Sequence, residues 1–237
     1  VIEIEMNAPA KNALGTETMN VLLEKVRAAK NEPLLLTGAG DAFSAGLNLK
    51  EIASLDEAGM RRFLTLLETT LASLYLHPRP TVALVNGHAI AGGCLLALCC
   101  DWRVAVDDPK SKIGLNEVAL GVLFPPRVLE IVRRRVPWRY LEEVVLGAGL
   151  VDPKNALRIG LVDEVFSKDE ARAVAEKRLA ARVALPAEAY AATKKMLRGA
   201  TEQDLVSDAD QARAIDAAIP AWIAPELKQR ILAVLAR

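Results

Sequence analysis

The chain has little cysteine, few aromatic residues, no net charge and no long apolar run. Three cysteines in 237 residues, two of them adjacent, give no disulfide framework, and a reducing compartment suits them best. Aromatic residues make up 4% against 52% hydrophobic residues overall, so the core must be aliphatic. A chain of this length supports one large domain, with or without a small appendage. Thirty basic residues balance thirty acidic ones. A nucleic-acid binder normally carries a basic excess or patch, and the one local cluster here is Arg133-Arg134-Arg135. No apolar run reaches membrane-spanning length. Neither nucleic acid nor a membrane is therefore an expected partner. No metal-ligand spacing appears among Cys and His, and no metal site is expected. Gly38-Ala39-Gly40 follows a strand-like run, but Phe43 stands where a dinucleotide loop needs its third glycine, and no P-loop lysine pattern exists. The chain begins with Val1 rather than Met; the expectation is that the true start is missing and that residues 1–5 are a strand, not a signal peptide.

What is present is an alternation of strand and helix patterns. Residues 1–6 alternate apolar and acidic, as a strand with one buried face does. Thr16 is placed to cap a helix running to about Lys30, with Met19, Leu22, Leu23 and Val26 on one face. A short buried strand is expected at 33–37. Asp56 starts the next helix, which ends before Pro78 and Pro80. Strands are expected at 81–85, 102–106 and 161–166. Helices are expected at 125–136, at 138–146 and from Asp152-Pro153 to Ile159, where Asp is the cap and Pro the first helical residue. Such alternation indicates an α/β domain with right-handed crossovers. From Asp169 the sequence is Ala-rich and helical, with breaks expected at Pro186, Gly199 and Pro220. A soft boundary falls near Lys168.

The stretch 91–121 organises the rest. Ala91-Gly92-Gly93 follows the 81–85 strand and opens an apolar helix at 94–100. A helix N-terminus offers free N–H groups and favours negative charge, and glycine lets a substrate approach the main chain. Taken alone, a glycine turn of this kind is equally well a tight turn. Glu117, in Gly114-Leu115-Asn116-Glu117, is a carboxylate among mostly apolar neighbours; by itself, a Glu beside Asn in a loop is most often a solvated surface residue. His77 reads as a capped helix end, His88 as a turn residue, and Cys99-Cys100 as core. Lys194, Lys195 and Arg198 read as a solvated helix face, with a weaker alternative as holders of phosphates.

Several segments carry a resemblance. Residues 43–49 (Phe-Ser-Ala-Gly-Leu-Asn-Leu), Ala91-Gly92-Gly93-Cys94-Leu95, Cys100-Asp101, residues 113–117 (Ile-Gly-Leu-Asn-Glu), residues 121–125 (Gly-Val-Leu-Phe-Pro) and Asp208-Ala209-Asp210 resemble the crotonase (enoyl-CoA hydratase/isomerase) superfamily. Within it they look most like the mitochondrial-type Δ3,Δ2-enoyl-CoA isomerases. The likeness runs over nearly the whole chain.

The resemblance implies a spiral of ββα units over 1–168 holding an acyl-CoA site, and a helical region over 169–237 used for assembly as a trimer or a dimer of trimers. It implies that the N–H groups of Leu47 and Gly92 form an oxyanion hole and that Glu117 is the catalytic base. Ala10, Asn12, Ala45, Asn48, Leu49, Gly93, Leu95 and Asn116 would contact substrate. Asn48 replaces the Asp more common after the oxyanion-hole residue. The hydratases of the superfamily carry a second glutamate at the position matching Leu95. Hydration needs one group to activate water and another to protonate carbon, whereas moving a double bond needs one shuttling base. A lone Glu117 therefore fits 3-enoyl- to 2-enoyl-CoA isomerisation, as in unsaturated fatty-acid β-oxidation. An apolar Leu95 would also keep the pocket dry and raise the Glu117 pKa. No cofactor is expected, since CoA is part of the substrate. The expected setting is bacterial cytoplasm, or the mitochondrial matrix in a eukaryote. A hydratase or other crotonase-type enzyme, and a non-catalytic acyl-CoA-binding subunit, remain open.

Overall fold

The computed structural model describes residues 1–236. Strand β1 (Ile2–Met6) runs into α1 (Pro9–Asn12), a single turn in which Ala10, Lys11 and Asn12 have φ of 53°, 59° and 59°. Helix α2 (Thr16–Ala29) leads to β2 (Leu34–Gly38), β3 (Ala42–Ser44), α3 (Leu49–Ser54) and α4 (Glu57–Tyr75). The same order returns in β4 (Thr81–Val85), β5 (His88–Ile90) and α5 (Gly92–Cys99), and again in β6 (Trp102–Val106), β7 (Ile113–Gly114), α6 (Glu117–Leu120) and α7 (Pro126–Arg135). Then follow α8 (Leu141–Val145), α9 (Pro153–Arg158), β8 (Glu164–Phe166), α10 (Lys168–Val183), α11 (Ala187–Arg198), α12 (Asp208–Ile223) and α13 (Pro225–Leu235).

The three ββα repeats build two sheets at once. The first strand of each repeat joins a parallel sheet of order β1-β2-β4-β6-β8, and the second joins a smaller parallel sheet of order β3-β5-β7. This is the spiral of ββα units that the resemblance implied. Both faces of the large sheet are covered, as parallel sheets require. Leu34, Leu36, Ala83, Val85 and Ala105 face the main core, while Leu35, Val82, Leu84, Val104 and Val106 pack on Ala171, Ala175 and Leu179 of α10. That split follows the two-residue period of a strand.

Several local expectations need correction. Thr16 does not cap α2; Gly15 holds the N-cap, and the Thr16 N–H and hydroxyl both donate to the Glu51 carboxylate from α3. An acidic side chain is favourable at a helix N-terminus whichever part of the chain supplies it. Pro220 lies inside α12, and the break comes at Ala224 instead. Pro220 is exposed, so the carbonyl it leaves unpaired can meet water, while Gln211, Ile215, Ala218, Ile219 and Trp222 pin the opposite face. The strand expected at 161–166 is confined to Glu164–Phe166, and the 138–146 helix begins as a 3-10 turn, Trp138–Tyr140. His88 opens β5 rather than a turn, its Nδ1 accepting the Lys112 N–H at 3.1 Å. His77, buried just beyond α4, has Nε2 at 2.8 Å from the Glu32 carbonyl.

Lys194 and Arg198 are the largest departure. They are 7% and 8% exposed, and they close on Asp101 at 2.7 Å and 2.9 Å. Tyr190 donates to the same carboxylate at 2.7 Å. Arg198 also donates to the carbonyls of Tyr75 and Cys99, and Arg135 to those of Leu98 and Cys100. These cations sit on the C-terminal ends of α4 and α5, where orphan carbonyls and the helix dipole favour positive charge. The groove above them measures about 700 Å³; its buried cations are already engaged by Asp101 and by helix ends. The Arg133-Arg134-Arg135 cluster is likewise divided, since Arg135 turns inward and Arg134 pairs with Glu130 at 2.7 Å.

Candidate active site

The small sheet gathers three loops. Its strands are adjacent and parallel, so the segments leaving the C-terminal ends of β3, β5 and β7 emerge side by side. Those segments are Ala45-Gly46-Leu47, Ala91-Gly92 and Leu115-Asn116-Glu117. The carboxyl ends of parallel strands are where open α/β sheets commonly bind ligands.

The first loop is fixed by backbone and hydroxyl contacts. The Leu14 N–H donates to the Gly46 carbonyl at 2.7 Å, and the Asn48 N–H to the Leu14 carbonyl at 3.0 Å, which leaves Leu47 between the two bonds. Ser44 Oγ donates to the Asn12 carbonyl at 2.8 Å and accepts the Gly46 N–H at 3.2 Å. Gly46 has φ 93°, and a Cβ there would lie 2.6 Å from the Ile90 carbonyl oxygen, so only glycine lets this loop lie on the second. In the second loop Ala91 takes φ 47°, and its N–H donates to the Gly114 carbonyl at 2.8 Å. Gly92 then starts α5 against Leu47: a Cβ at Gly92 would meet Leu47 Cδ2 and Leu14 Cδ1 at 3.0 Å. Among the described residues neither the Leu47 nor the Gly92 N–H has a protein acceptor. Two donors without a protein partner therefore sit on residues that line one slot, as an anion-stabilising pair would.

Glu117 begins α6 and is 6% exposed. Its Oε2 is buried without a hydrogen bond, as is Oδ1 of Asn116. Burial pushes the Glu117 carboxyl up from 4.5 to about 7, and a main-chain hydrogen bond offsets this only in part. Asn116 holds the N-cap position of α6 without capping it. Leaving a buried acceptor unpaired costs about 1–3 kcal/mol, so two together mark a place where binding a partner would repay the cost.

Glu117 borders two spaces, which also share Leu47 and Trp222 in their lining. One, of about 220 Å³, is lined by Ala45, Leu47, Leu49, Ala91 and Asn116, with Trp222, Leu227, Ile231 and Val234 opposite. The other is a slot of about 10 Å³ between Leu47, Gly92 and Leu95 on one side and Leu67, Phe124, Val128 and Trp222 on the other. Among the described residues that line either space, Glu117 is the single titratable side chain.

Of the residues named from the sequence, Leu47, Gly92, Glu117, Ala45, Leu49, Leu95 and Asn116 meet here. Four do not reach the cavities with their side chains. Asn12 is buried and committed, its Oδ1 accepting the Ala8 N–H and its Nδ2 donating to the carbonyls of Ala39 and Ala42. Asn48 caps α3, its Oδ1 accepting the Glu51 N–H at 3.3 Å. Gly93 is packed on Ser44, where a Cβ would lie 2.3 Å from the carbonyl oxygen. Ala10 is exposed on the α1 turn, away from either space. The wall from α12 and α13 escaped the sequence reading. Its signal was there: Leu227, Ile231 and Val234 fall at i, i+4 and i+7, one helical stripe.

A sequence profile described as enoyl-CoA hydratase/isomerase matches residues 1–219. The chain belongs to the enoyl-CoA hydratase/isomerase family. It is 33% identical over 211 residues to mouse mitochondrial enoyl-CoA delta isomerase 1, covering 87% of this chain and 73% of that one. The crystal structure of human mitochondrial delta3-delta2-enoyl-CoA isomerase superposes with a TM-score of 0.91 at 28% identity, covering 99% of this chain and 92% of that one. A crotonyl-CoA hydratase of Syntrophomonas wolfei is 29% identical over 218 residues, covering 90% of this chain and 82% of that one. The family thus includes relatives of both reaction types. Among the described residues no helix is long and apolar enough to cross a membrane, and no group of three or more His, Cys, Asp or Glu could hold a metal ion.

Proposed function

We propose that this family member is a Δ3,Δ2-enoyl-CoA isomerase working with one base. The observation that carries the reading is the single carboxyl of Glu117, lining the same slot as Leu47 and Gly92, whose N–H groups have no protein acceptor, in a site whose other walls, Leu95 included, are apolar or uncharged. The thioester oxygen of a 3-enoyl-CoA accepts hydrogen bonds from the N–H groups of Leu47 and Gly92. Ionised Glu117 takes a proton from C2, and the electron pair of that C–H bond delocalises into a dienolate whose charge rests on the held oxygen. The protonated carboxyl then gives the same proton to C4; the double bond moves from C3–C4 to C2–C3, and the enzyme returns to its starting state. A carboxyl held near 7 suits both halves, being basic enough to accept the proton and acidic enough to release it.

The remaining assignments belong to the same proposal. The main chain at 10–12 and 45–49 contacts the CoA moiety, no metal or redox cofactor takes part, and the product feeds β-oxidation of unsaturated acyl chains. Helices of the 169–237 region carry assembly into a trimer or a dimer of trimers. The competing reading is hydration of a 2-enoyl-CoA, favoured by the likeness to a crotonyl-CoA hydratase. The test is incubation with 3-hexenoyl-CoA, followed by the absorbance of the conjugated product. Appearance of 2-hexenoyl-CoA is expected. No conjugated product, together with rapid hydration of 2-butenoyl-CoA, overturns the isomerase reading.

A further inference from the structure

A second buried carboxyl lies behind the narrow slot, and the reaction above does not use it. Glu68 of α4 is 3% exposed. One of its oxygens accepts a hydrogen bond from Gln211 Nε2 on α12. The other has no hydrogen bond and lies 3.8 Å from Arg127 Nη1 on α7. Gln211 closes the triangle, its Oε1 accepting the Arg127 main-chain N–H at 3.1 Å. Arg127 also donates to the Val206 carbonyl at 2.9 Å and pairs with Asp208 and, at 3.3 Å, with Glu202. One polar knot therefore ties α4, α7 and α12 together.

Each of those helices carries a wall of the site. Leu67 precedes Glu68 on α4 and Val128 follows Arg127 on α7; both line the slot. On α12 the buried residues Gln211, Ile215, Ala218 and Trp222 fall at i, i+4, i+7 and i+11, a single stripe about three turns long. Gln211 is at one end of that stripe, and Trp222, which lines both spaces beside Glu117, is at the other. The far end is held too: Trp222 Nε1 donates to the Leu123 carbonyl at 3.2 Å.

We propose that Glu68 is a positioning residue of the active site: by accepting from Gln211 beside Arg127, it sets the placement of α12 that holds Trp222 over the slot and Glu117. This rests on the acyl-CoA reading above. The charges facing Glu68 are Arg127 on α7, Asp208 at the start of α12 and Glu202 in the turn before it, with neutral Gln211 as the direct donor. Burial pushes the carboxyl up to about 7, an effect that Arg127 opposes and Glu202 and Asp208 reinforce. Two carboxylates already face the one guanidinium, so the acceptor oxygen, not a third negative charge, is what the knot needs from Glu68. A glutamine there keeps that oxygen; a leucine does not.

The test uses the full chain with Trp222 as its sole tryptophan (W102F/W138F), carrying E68L, Q211L, both, or E68Q. Two readouts are taken: acrylamide quenching of Trp222, and kcat/KM for 3-hexenoyl-CoA. E68L and Q211L should each make Trp222 easier to quench and lower kcat/KM about tenfold, the scale of one lost buried hydrogen bond. The double variant should be no worse than either single, because both remove the same link. E68Q should restore both readouts. Unchanged quenching in E68L and Q211L overturns the proposal, and so does an E68Q variant as impaired as E68L. Should E68L fail to fold, Q211L cuts the same bond from the other side. Quenching does not depend on turnover; a parent protein inactive on 3-hexenoyl-CoA whose variants still change quenching would sink the isomerase reading and leave the placement of Trp222 standing.

Discussion

Glu117→Gln separates catalysis from stability in opposite directions. The substitution keeps shape and polarity but removes the atom that accepts the substrate proton. Loss of a positioned general base costs about 10²–10⁴ in rate, so turnover of 3-hexenoyl-CoA should fall by at least that range while affinity for acyl-CoA changes little. Stability should move the other way. The Glu117 carboxyl stands at about 7 in the folded protein against 4.5 when free, because burial disfavours its charge. A carboxyl whose folded pKa is raised lends its full stabilisation below pH 4.5 and loses it as pH climbs through 7. At about 1.4 kcal/mol per pH unit, a rise from 4.5 to about 7 corresponds to about 3 kcal/mol. The amide has no such ionisation. Wild type and Glu117→Gln should therefore unfold alike near pH 4.5, and the variant should be more stable by up to about 3 kcal/mol above pH 8. Urea unfolding at four or five pH values, beside a progress curve for each variant, measures both effects. Near-normal turnover in the folded variant removes Glu117 from the mechanism. A stability difference that does not change with pH refutes the buried, raised carboxyl.

Gly92→Val would place Cβ 3.0 Å from Leu14 Cδ1 and Leu47 Cδ2, pushing apart the two residues that offer the free N–H groups; turnover should fall by about 10²–10³ with circular dichroism unchanged, and unaltered kinetics would place the oxyanion hole elsewhere. Leu95→Glu should lower isomerase turnover and introduce slow hydration of 2-butenoyl-CoA, read by chromatography as 3-hydroxybutyryl-CoA; a wild type that already hydrates as fast as it isomerises defeats the one-base argument. Lys194→Met would strand the buried Asp101 with Arg198 as its one remaining cation, and breaking such a pair costs about 3–5 kcal/mol; urea unfolding should show that loss, and a variant as stable as wild type would show the pair to be energetically idle.

The sequence made the α/β frame legible because strands buried on both faces and helices buried on one leave different apolar periods. Leu34, Leu35 and Leu36 are unbroken, as a strand between two layers must be, and Leu22, Leu23 and Val26 recur at helical spacing. The misreadings share one cause: the deciding partner lies far along the chain. Thr16 reads as a cap until Glu51, 35 residues on, takes its N–H and hydroxyl. Lys194 and Arg198 read as a wet face of α11 because an i, i+4 pair of cations normally is one; Asp101, 93 residues earlier, draws Lys194 inward. Pro220 reads as a break because proline costs a helix interior about 3 kcal/mol, and nothing local shows that the stripe from Gln211 to Trp222 is buried firmly enough to outweigh it.

The active site divides along the same line. The three loops at the ends of β3, β5 and β7 carry motifs, so Leu47, Gly92 and Glu117 could be named from local sequence. Without that motif a Glu beside Asn in a loop would read as a solvated surface residue. Part of its burial comes from the α12–α13 wall, more than a hundred residues away, where Trp222, Leu227 and Ile231 line the cavity beside it. Arg230 helps latch that wall, donating to the Leu120 carbonyl at 3.0 Å; Gly121, next in the chain, lies so close that a Cβ would fall 2.0 Å from Arg230 Nη1. The chemistry follows from that closure. Exposed, the carboxyl would return to the ordinary range near 4.5 and be a weaker base, and under the proposed mechanism the two N–H groups would bind water in place of the enolate oxygen. Glu117 can be named from one short motif, but part of the apolar lining beside its raised carboxyl comes from the C-terminal helices.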